Sequence, residues 1–343
     1  MHDTRLQTGR GHTGPARSAG SASRWLKPAV TLALYVLVFY WTDAGASLAR
    51  LGGARLDLVT AAVLLYMLGQ SLSTWRWQLL LGPVGLRAAY ARLLGFYFTG
   101  MFFNLFLPTI IGGDAVKAVL LARETGAPAR ATGSVFMERN VGLCSLLVVA
   151  IAAAHAAPPV PLFGLPLTAL VWMLAAGYAL ANVILFRPHV YRIADRIVAA
   201  TPLARFRPRA ASLYAAIEPY TNAWQPIAAA LVLSFAHQIV VIAVVFLGAR
   251  ALALDVPPTA LAVFVPLVSL AGMIPVSVNG LGVREALYVL LFGRVGVPAD
   301  AAVSLALLYL GVTLLASLPG GVAYLMQPVP ARLLAAERTA MDS

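Results

Sequence analysis

The sequence predicts an all-α polytopic membrane protein, with six full transmembrane helices and two oppositely oriented re-entrant broken hairpins that form an inverted repeat. Three observations carry this prediction. The 343 residues are 60% hydrophobic and only 11% charged, with a mean hydropathy of +0.83, far from the balance of a water-soluble domain. Long apolar runs alternate with Arg-bearing segments. Two further apolar runs are cut short by Pro and Gly beside charged residues, and their sequences resemble each other.

Taken in order, residues 1–24 are rich in Gly, Ser, Thr, Ala and Arg and have nothing to bury, which predicts a disordered basic cytoplasmic tail. The run from Pro28 to Tyr40, with Ala44-Gly45-Ala46 beyond it, has the outline of a cleaved signal peptide. A long basic tail ahead of it and Trp25 and Trp41 as interfacial anchors favour a retained first span. Crossing ~30 Å of hydrocarbon takes about 20 helical residues. The segments 25–46, 58–81, 133–156, 164–186, 226–248 and 301–324 satisfy this. Segments 93–107 and 259–274 are shorter, and each ends at a Pro followed by a Gly-containing turn and another short apolar stretch, so there are about eight hydrophobic segments in a membrane domain spanning 25–325. A short cytoplasmic tail, 326–343, follows. The Arg-rich stretch from Arg187 to Tyr220 reads as helix lying along the cytoplasmic interface, with an ordinary loop as the alternative. Cys144 is the single cysteine, so no intramolecular disulfide or thiolate cluster can form.

The net charge of +12 would point to nucleic acid in a soluble protein, but here it is segregated as topology. With a cytoplasmic N-terminus and both short pieces re-entrant, 18 of the 25 Lys and Arg residues fall in cytoplasmic segments, Arg76, Arg87 and Arg92 among them. Four fall outside, Arg50, Arg55, Arg250 and Arg294, and three lie within the membrane, Lys117, Arg139 and Arg284. Both termini are then cytoplasmic, and the two hairpins enter from opposite faces and point at each other.

Aligning PTIIGGDAVKAVLL from Pro108 with PVSVNGLGVREALY from Pro275 matches Gly113 with Gly280, Val116 with Val283, Lys117 with Arg284 and Leu120 with Leu287. After a three-residue insertion, Gly126, Pro128, Ala129, Ala131 and Ser134 match Gly296, Pro298, Ala299, Ala301 and Ser304. One unit, a broken hairpin followed by a G-x-P-A cap and a long helix, thus occurs twice. Inverted repeats whose discontinuous helices meet near the bilayer midplane build the substrate site of many secondary transporters.

A break leaves backbone donors and carbonyls unpaired, which is costly in lipid and useful where it lines a cavity. Half-helices starting near Gly112 and Gly113, and near Gly280 and Gly282, would aim their positive ends inward, with Lys117 and Arg284 in or near the first turn. Glu138 and Arg139 enter the third full crossing about a turn from its start. The buried inventory is then Asp114, Glu138 and Glu285 against Lys117, Arg139 and Arg284. These six side chains could bind an anionic headgroup, or could be structural salt bridges that lock the hairpins. Asn104 and Asn279 sit at the breaks as ligands or caps, while Gln70, Asn182, His237 and Gln238 read as interhelical hydrogen-bonding groups.

The motifs NLFLPTIIGGDAVKAVLLAR, SVFMERNVGL and SVNGLGVREALYVLLFGRVGV resemble the transmembrane region of the lysylphosphatidylglycerol synthase family. The signature is N-x-F-x-P-x-x-x-G-G-D combined with G-L-G-x-R-E. The resemblance implies a flippase-like domain, of the kind also found as stand-alone proteins of the bacterial inner membrane. Because the sequence stops at Ser343, no aminoacyl-transfer domain is expected. The expected function is translocation of an anionic phospholipid or a polyprenyl-phosphate-linked lipid, without enzymatic activity, cofactor or metal. No nucleotide-binding loop, H-E-x-x-H motif or Ser/His/Asp arrangement argues for catalysis. The alternative is a non-catalytic scaffold or accessory subunit of a lipid, glycolipid or hopanoid pathway, docking a cytoplasmic lipid-modifying enzyme. A homodimer is compatible with either reading.

Overall fold

The computed structural model describes residue 36 and residues 44–105, 112–156, 161–162, 164–199, 201, 204–205, 207–273 and 280–326. The predicted tails, most of the first span and the two breaks at 106–111 and 274–279, with Pro108, Pro275 and Asn279, lie outside the described residues.

The described chain is built of helices. They are α1 (Ala44–Gly52), α2 (Leu56–Leu81), α3 (Tyr90–Asn104), α4 (Gly112–Thr125), α5 (Pro128–Ala156), α6 (Leu167–Phe186), α7 (Pro188–Ala199), α8 (Arg207–Ile217), α9 (Trp224–Ala251), α10 (Pro258–Gly272), α11 (Val283–Phe292), α12 (Ala299–Ser317) and α13 (Pro319–Leu325). A two-residue antiparallel pairing of Pro161–Leu162 with Leu165–Pro166 joins α5 to α6. Five helical segments are long and apolar enough to cross a membrane: Leu56–Val84, Pro128–Ala156, Leu167–Phe186, Trp224–Ala251 and Ala299–Leu325. They coincide with the second to sixth predicted spans. The protein is therefore a multi-pass membrane protein.

Contacts between distant residues gather the helix ends at two poles. At one, Arg50 pairs with Asp300 at 2.8 Å and the Arg55 N–H donates to the Ala251 carbonyl at 3.0 Å. At the other, Arg92 pairs with Glu124 at 3.3 Å and the Tyr220 hydroxyl donates to the Leu80 carbonyl at 2.6 Å. The pair α3 and α4 begins and ends at the second pole, whereas α10 begins and α11 ends near the first. Each pair has its own apolar surroundings. Leu93, Phe96 and Leu121 pack with Trp77, Met137 and Tyr220, while Phe264, Tyr288 and Phe292 pack with Val245, Ala301 and Leu305.

Glycine permits the closest approaches. A Cβ on Gly100 would lie 2.6 Å from the Gly113 carbonyl oxygen, so α3 and α4 touch backbone to backbone. Asn104 closes that end, its Oδ1 accepting the Gly113 N–H at 2.6 Å. In the second pair, Gly280 adopts φ +72°, with the place of its Cβ 3.1 Å from the Gly272 carbonyl oxygen. Gly126 and Gly296, matched in the sequence alignment, both take left-handed φ, +70° and +81°, immediately before the helices that follow. Their partners Ala131 with Ala301, and Ser134 with Ser304, are all buried.

The Arg187–Tyr220 stretch contains α7 and α8. On α7, Ile193 and Ile197 form an exposed apolar stripe four residues apart. Asp195 is tied to Arg207 of α8, whose hydrogen bond holds that carboxyl below its usual range, and Tyr191 stacks on Tyr214 at 3.9 Å.

The Gly100–Gly113 contact leads to a prediction. Gly113→Ala should destabilise the protein by about 1–3 kcal/mol, as overpacking does, and lower the thermal unfolding midpoint in detergent. Gly95→Ala on the same hairpin, where a Cβ meets nothing within 4 Å, should not. Equal midpoints for the two variants would contradict the close crossing.

Candidate functional site

Four buried ionisable side chains and one half-exposed guanidinium form a chain at the first hairpin. Lys117 of α4 is 2% exposed; its ammonium lies 2.7 Å from Glu138 Oε2 and 3.0 Å from Asp114 Oδ1. The same ammonium sits over the Tyr97 and Trp77 rings, at 4.2 and 5.4 Å from their centroids. Glu138, fully buried on α5, also accepts from Arg76 at 2.5 Å and from the Tyr97 hydroxyl at 3.2 Å. Asp114, in the first turn of α4, accepts twice from Arg139, at 2.5 and 3.0 Å. Such short, charge-assisted contacts are what a low-dielectric interior demands of ions it retains.

The second hairpin has a smaller set. Glu285 is fully buried; one oxygen accepts from Arg284 at 2.8 Å and the other from the Gly282 N–H at 2.6 Å, capping the start of α11. The Arg284 guanidinium lies 5.7 Å from the centre of the Tyr309 ring.

Between the hairpins lies a cavity of about 470 Å³. Asn104, Leu105, Tyr97 and Met101 of the first hairpin line it, as do Gly272, Met273, Leu281 and Arg284 of the second. Tyr66, Gln70, Ser73 and Arg76 of α2, Arg139 of α5, His237 and Gln238 of α9, and Tyr309 and Thr313 of α12 complete the wall. A side lobe of about 240 Å³ shares Ser269, Gly272, Met273, Arg284 and Tyr309 with it and extends to Val245, Val265, Val268 and Tyr288. Of the charged side chains, Arg76, Arg139 and Arg284 reach the cavity wall, whereas Asp114, Glu138 and Glu285 stand behind them. Lys117 also stands behind, so the structure places it as the link between two carboxylates. Gly112 and Gly113 start α4 beside Asn104, and Gly280 lines the lobe with Gly282 two residues on.

Arg76 corrects two parts of the sequence reading. The charge count places it among the cytoplasmic cations, near the end of its span, but it is buried within α2, donating to Ser234 of α9 at 3.0 Å as well as to Glu138. The ionisable set around the hairpins is therefore four cations against three carboxylates, not a balanced one, with Arg76 and Lys117 the buried cations. The Arg76 Nε is the one fully buried side-chain donor without a hydrogen-bond partner among the described residues. The position of Arg76 near a span end groups it with Arg87 and Arg92; its partners lie far away in sequence, on α5 and α9. Gln70, His237 and Gln238, expected to bridge helices, also face the cavity; His237 Nδ1 lies 3.0 Å from the Gly69 carbonyl oxygen and 3.3 Å from Ser73 Oγ.

The sequence model of the lysylphosphatidylglycerol synthase TM region matches residues 24–320, most of the chain. The chain belongs to the lysylphosphatidylglycerol synthase transmembrane-region family. The matched region contains every charged residue of both hairpins and the whole described cavity. No curated protein and no solved structure matches the chain.

Glu138 compensates two cations at once. Glu138→Gln leaves Arg76 and Lys117 with Asp114 as their one remaining nearby carboxylate and should cost about 3–5 kcal/mol, read as a lowered unfolding midpoint in detergent. Removing a cation with it, in Lys117→Met/Glu138→Gln, should recover part of that loss. A Glu138→Gln protein as stable as the parent would contradict the pairing.

Proposed function

We propose that this protein is a lipid translocator rather than an enzyme, and that it passes the anionic headgroup of a phospholipid or polyprenyl-phosphate-linked lipid through the cavity between the hairpins. The observation that carries the proposal is electrostatic. Four cations, Arg76, Lys117, Arg139 and Arg284, face three carboxylates, and of these seven side chains only the three guanidinium groups line the cavity. A surplus charge in a low-dielectric interior costs several kcal/mol unless a counter-ion arrives. A phosphate is a suitable counter-ion, because guanidinium groups meet it bidentately.

The architecture supports the same reading. Two short helix pairs approach from opposite poles and present their broken ends to one polar chamber, as in transporters built from inverted repeats. In this reading 93–107 and 259–274 are re-entrant, and the pole of Arg92, Glu124, α7 and α8 faces the cytoplasm of a bacterial inner membrane together with both termini. With Arg76 moved into the membrane, 17 cations remain on that side against the four at the other, which still satisfies the positive-inside rule. Arg139 is the cation best placed to exchange partners, since its side chain is 45% exposed while bonded to Asp114. Membership of a family named for a lipid synthase supports a lipid as the cargo.

Reconstitution into liposomes with fluorescent lipid analogues tests the proposal. Anionic analogues should cross leaflets faster than in empty liposomes. Arg139→Ala and Arg284→Ala should each slow them at least about tenfold, the loss of one charge-assisted contact of about 1.5–3 kcal/mol, with Arg284→Lys intermediate. Absence of movement of every anionic analogue, with correctly folded protein in the bilayer, would overturn it.

A further inference from the structure

Among the described residues of the cavity wall, His237 is the one side chain whose type ordinarily changes charge between about pH 5 and 8. It lies in the middle of α9, and the pairing of α9 with α2 fixes its ring. Arg76 of α2 donates to Ser234 Oγ at 3.0 Å, and one turn along α9 the His237 Nδ1 lies 3.0 Å from the Gly69 carbonyl oxygen and 3.3 Å from Ser73 Oγ. A carbonyl oxygen only accepts, so the neutral ring carries its proton on Nδ1. Nε2 is then a bare acceptor, without a hydrogen-bond partner among the described residues. The ring can take a second proton there and keep its tie to α2.

The charges around that ring decide when the second proton is held. Of the helices packed on α9, α2 presents Tyr66 and Arg76, α5 presents Arg139 with Glu138 behind it, and α12 presents Tyr309. Tyr97 and Arg284 reach the same wall from the two hairpins, while α10 has no ionisable side chain. Glu218 and Tyr220, in the turn before α9, belong to the pole, where the Tyr220 hydroxyl is spent on Leu80. Glu138 is already shared by Arg76 and Lys117. An imidazolium in the empty chamber would thus add a fourth positive charge to three guanidinium groups. A phosphate among those groups reverses the balance, because opposite charges attract strongly in a low dielectric. The buried Arg76 Nε, which has no partner, also calls for an acceptor. Anion and proton therefore favour each other, and by linkage each raises the affinity for the other by the same factor.

We infer that His237 is a proton-binding site of the chamber, and that a lipid phosphate and one proton occupy the wall together. This deepens the translocator reading and rests on it. The proton comes from water at the open side, forms an N–H bond at Nε2 as the phosphate arrives, and returns to water when the phosphate leaves. The cation so formed compensates part of the headgroup's charge inside the bilayer, where an isolated ion costs several kcal/mol.

The test is calorimetric binding of phosphatidylglycerol and phosphatidylinositol to the full chain in detergent, between about pH 5 and 8. Both phosphodiesters stay monoanionic over that range, so a pH dependence belongs to the protein. Affinity should rise at least about tenfold from the alkaline to the acid end. At the acid end binding should also take up a proton, read from the change of the heat with the buffer's ionisation enthalpy; this measurement on the unmodified chain needs no variant to fold. His237→Gln, whose amide can still donate to Gly69, should lose both the uptake and the pH dependence, whereas His189→Gln, on the exposed face of α7, should keep them. Binding that is independent of pH and takes up no proton, or a pH dependence that survives His237→Gln, would overturn the proton site and leave the translocator reading standing. Failure of both lipids to bind at any pH would remove the translocator reading and this inference with it.

Discussion

An ion inside an apolar medium must be neutralised within hydrogen-bonding distance, and the architecture around the first hairpin follows from that requirement. Glu138 is placed by α5 so that one carboxylate meets Arg76 from α2 and Lys117 from α4, while Asp114 reaches both Lys117 and Arg139. The network thus fastens α4, a helix too short to cross a bilayer, to two long helices that do cross. Ridges of apolar side chains could not supply that specificity alone, since lipid tails compete equally well for them. Small residues supply the rest, with Gly100 against Gly113 and Gly320 against the Phe98 backbone bringing α3 close to α4 and to α13.

The second hairpin is held differently. Arg284 and Glu285 are adjacent in sequence, and Glu285 spends its other oxygen on the backbone at Gly282. This hairpin is neutral by itself, whereas the first carries one positive charge beyond its carboxylates. The two hairpins belong to separate apolar clusters, and the polar cavity occupies the space between them. A ligand that bridges Arg139 and Arg284 would therefore connect the two hairpin regions across the cavity. Surplus charge and location together make the cavity, rather than either helix end, the centre of the functional account.

Much of this was legible in the sequence. The five described spans, the two short apolar pieces and the pairing of Asp114, Lys117, Glu138, Arg139, Arg284 and Glu285 beside the hairpins follow from hydropathy and from the cost of a charge in lipid. Gly126 and Gly296 were visible as equivalent caps, and the structure gives both the same left-handed backbone. Arg76 was not recognisable, because position near a span end looks the same for an interfacial anchor and for a buried ion; only its contacts with Glu138 and Ser234 distinguish them. Nor does sequence reveal which side of a charge pair meets the cavity. Lys117 and Arg284 are aligned residues, yet one is enclosed by carboxylates and rings while the other reaches the wall. That difference depends on a carboxylate from another helix, Glu138, and pairwise matching of the repeats carries no information about it.

The central claim is that the cationic wall between the hairpins holds a lipid phosphate. Cryo-electron microscopy of the protein purified with its native lipids tests this most directly. The account predicts phosphate density within hydrogen-bonding distance of both Arg139 and Arg284, with the acyl chains leading away from the cavity. A cavity filled by hydrocarbon or water alone, with Arg139 still on Asp114 and Arg284 still on Glu285, would contradict it.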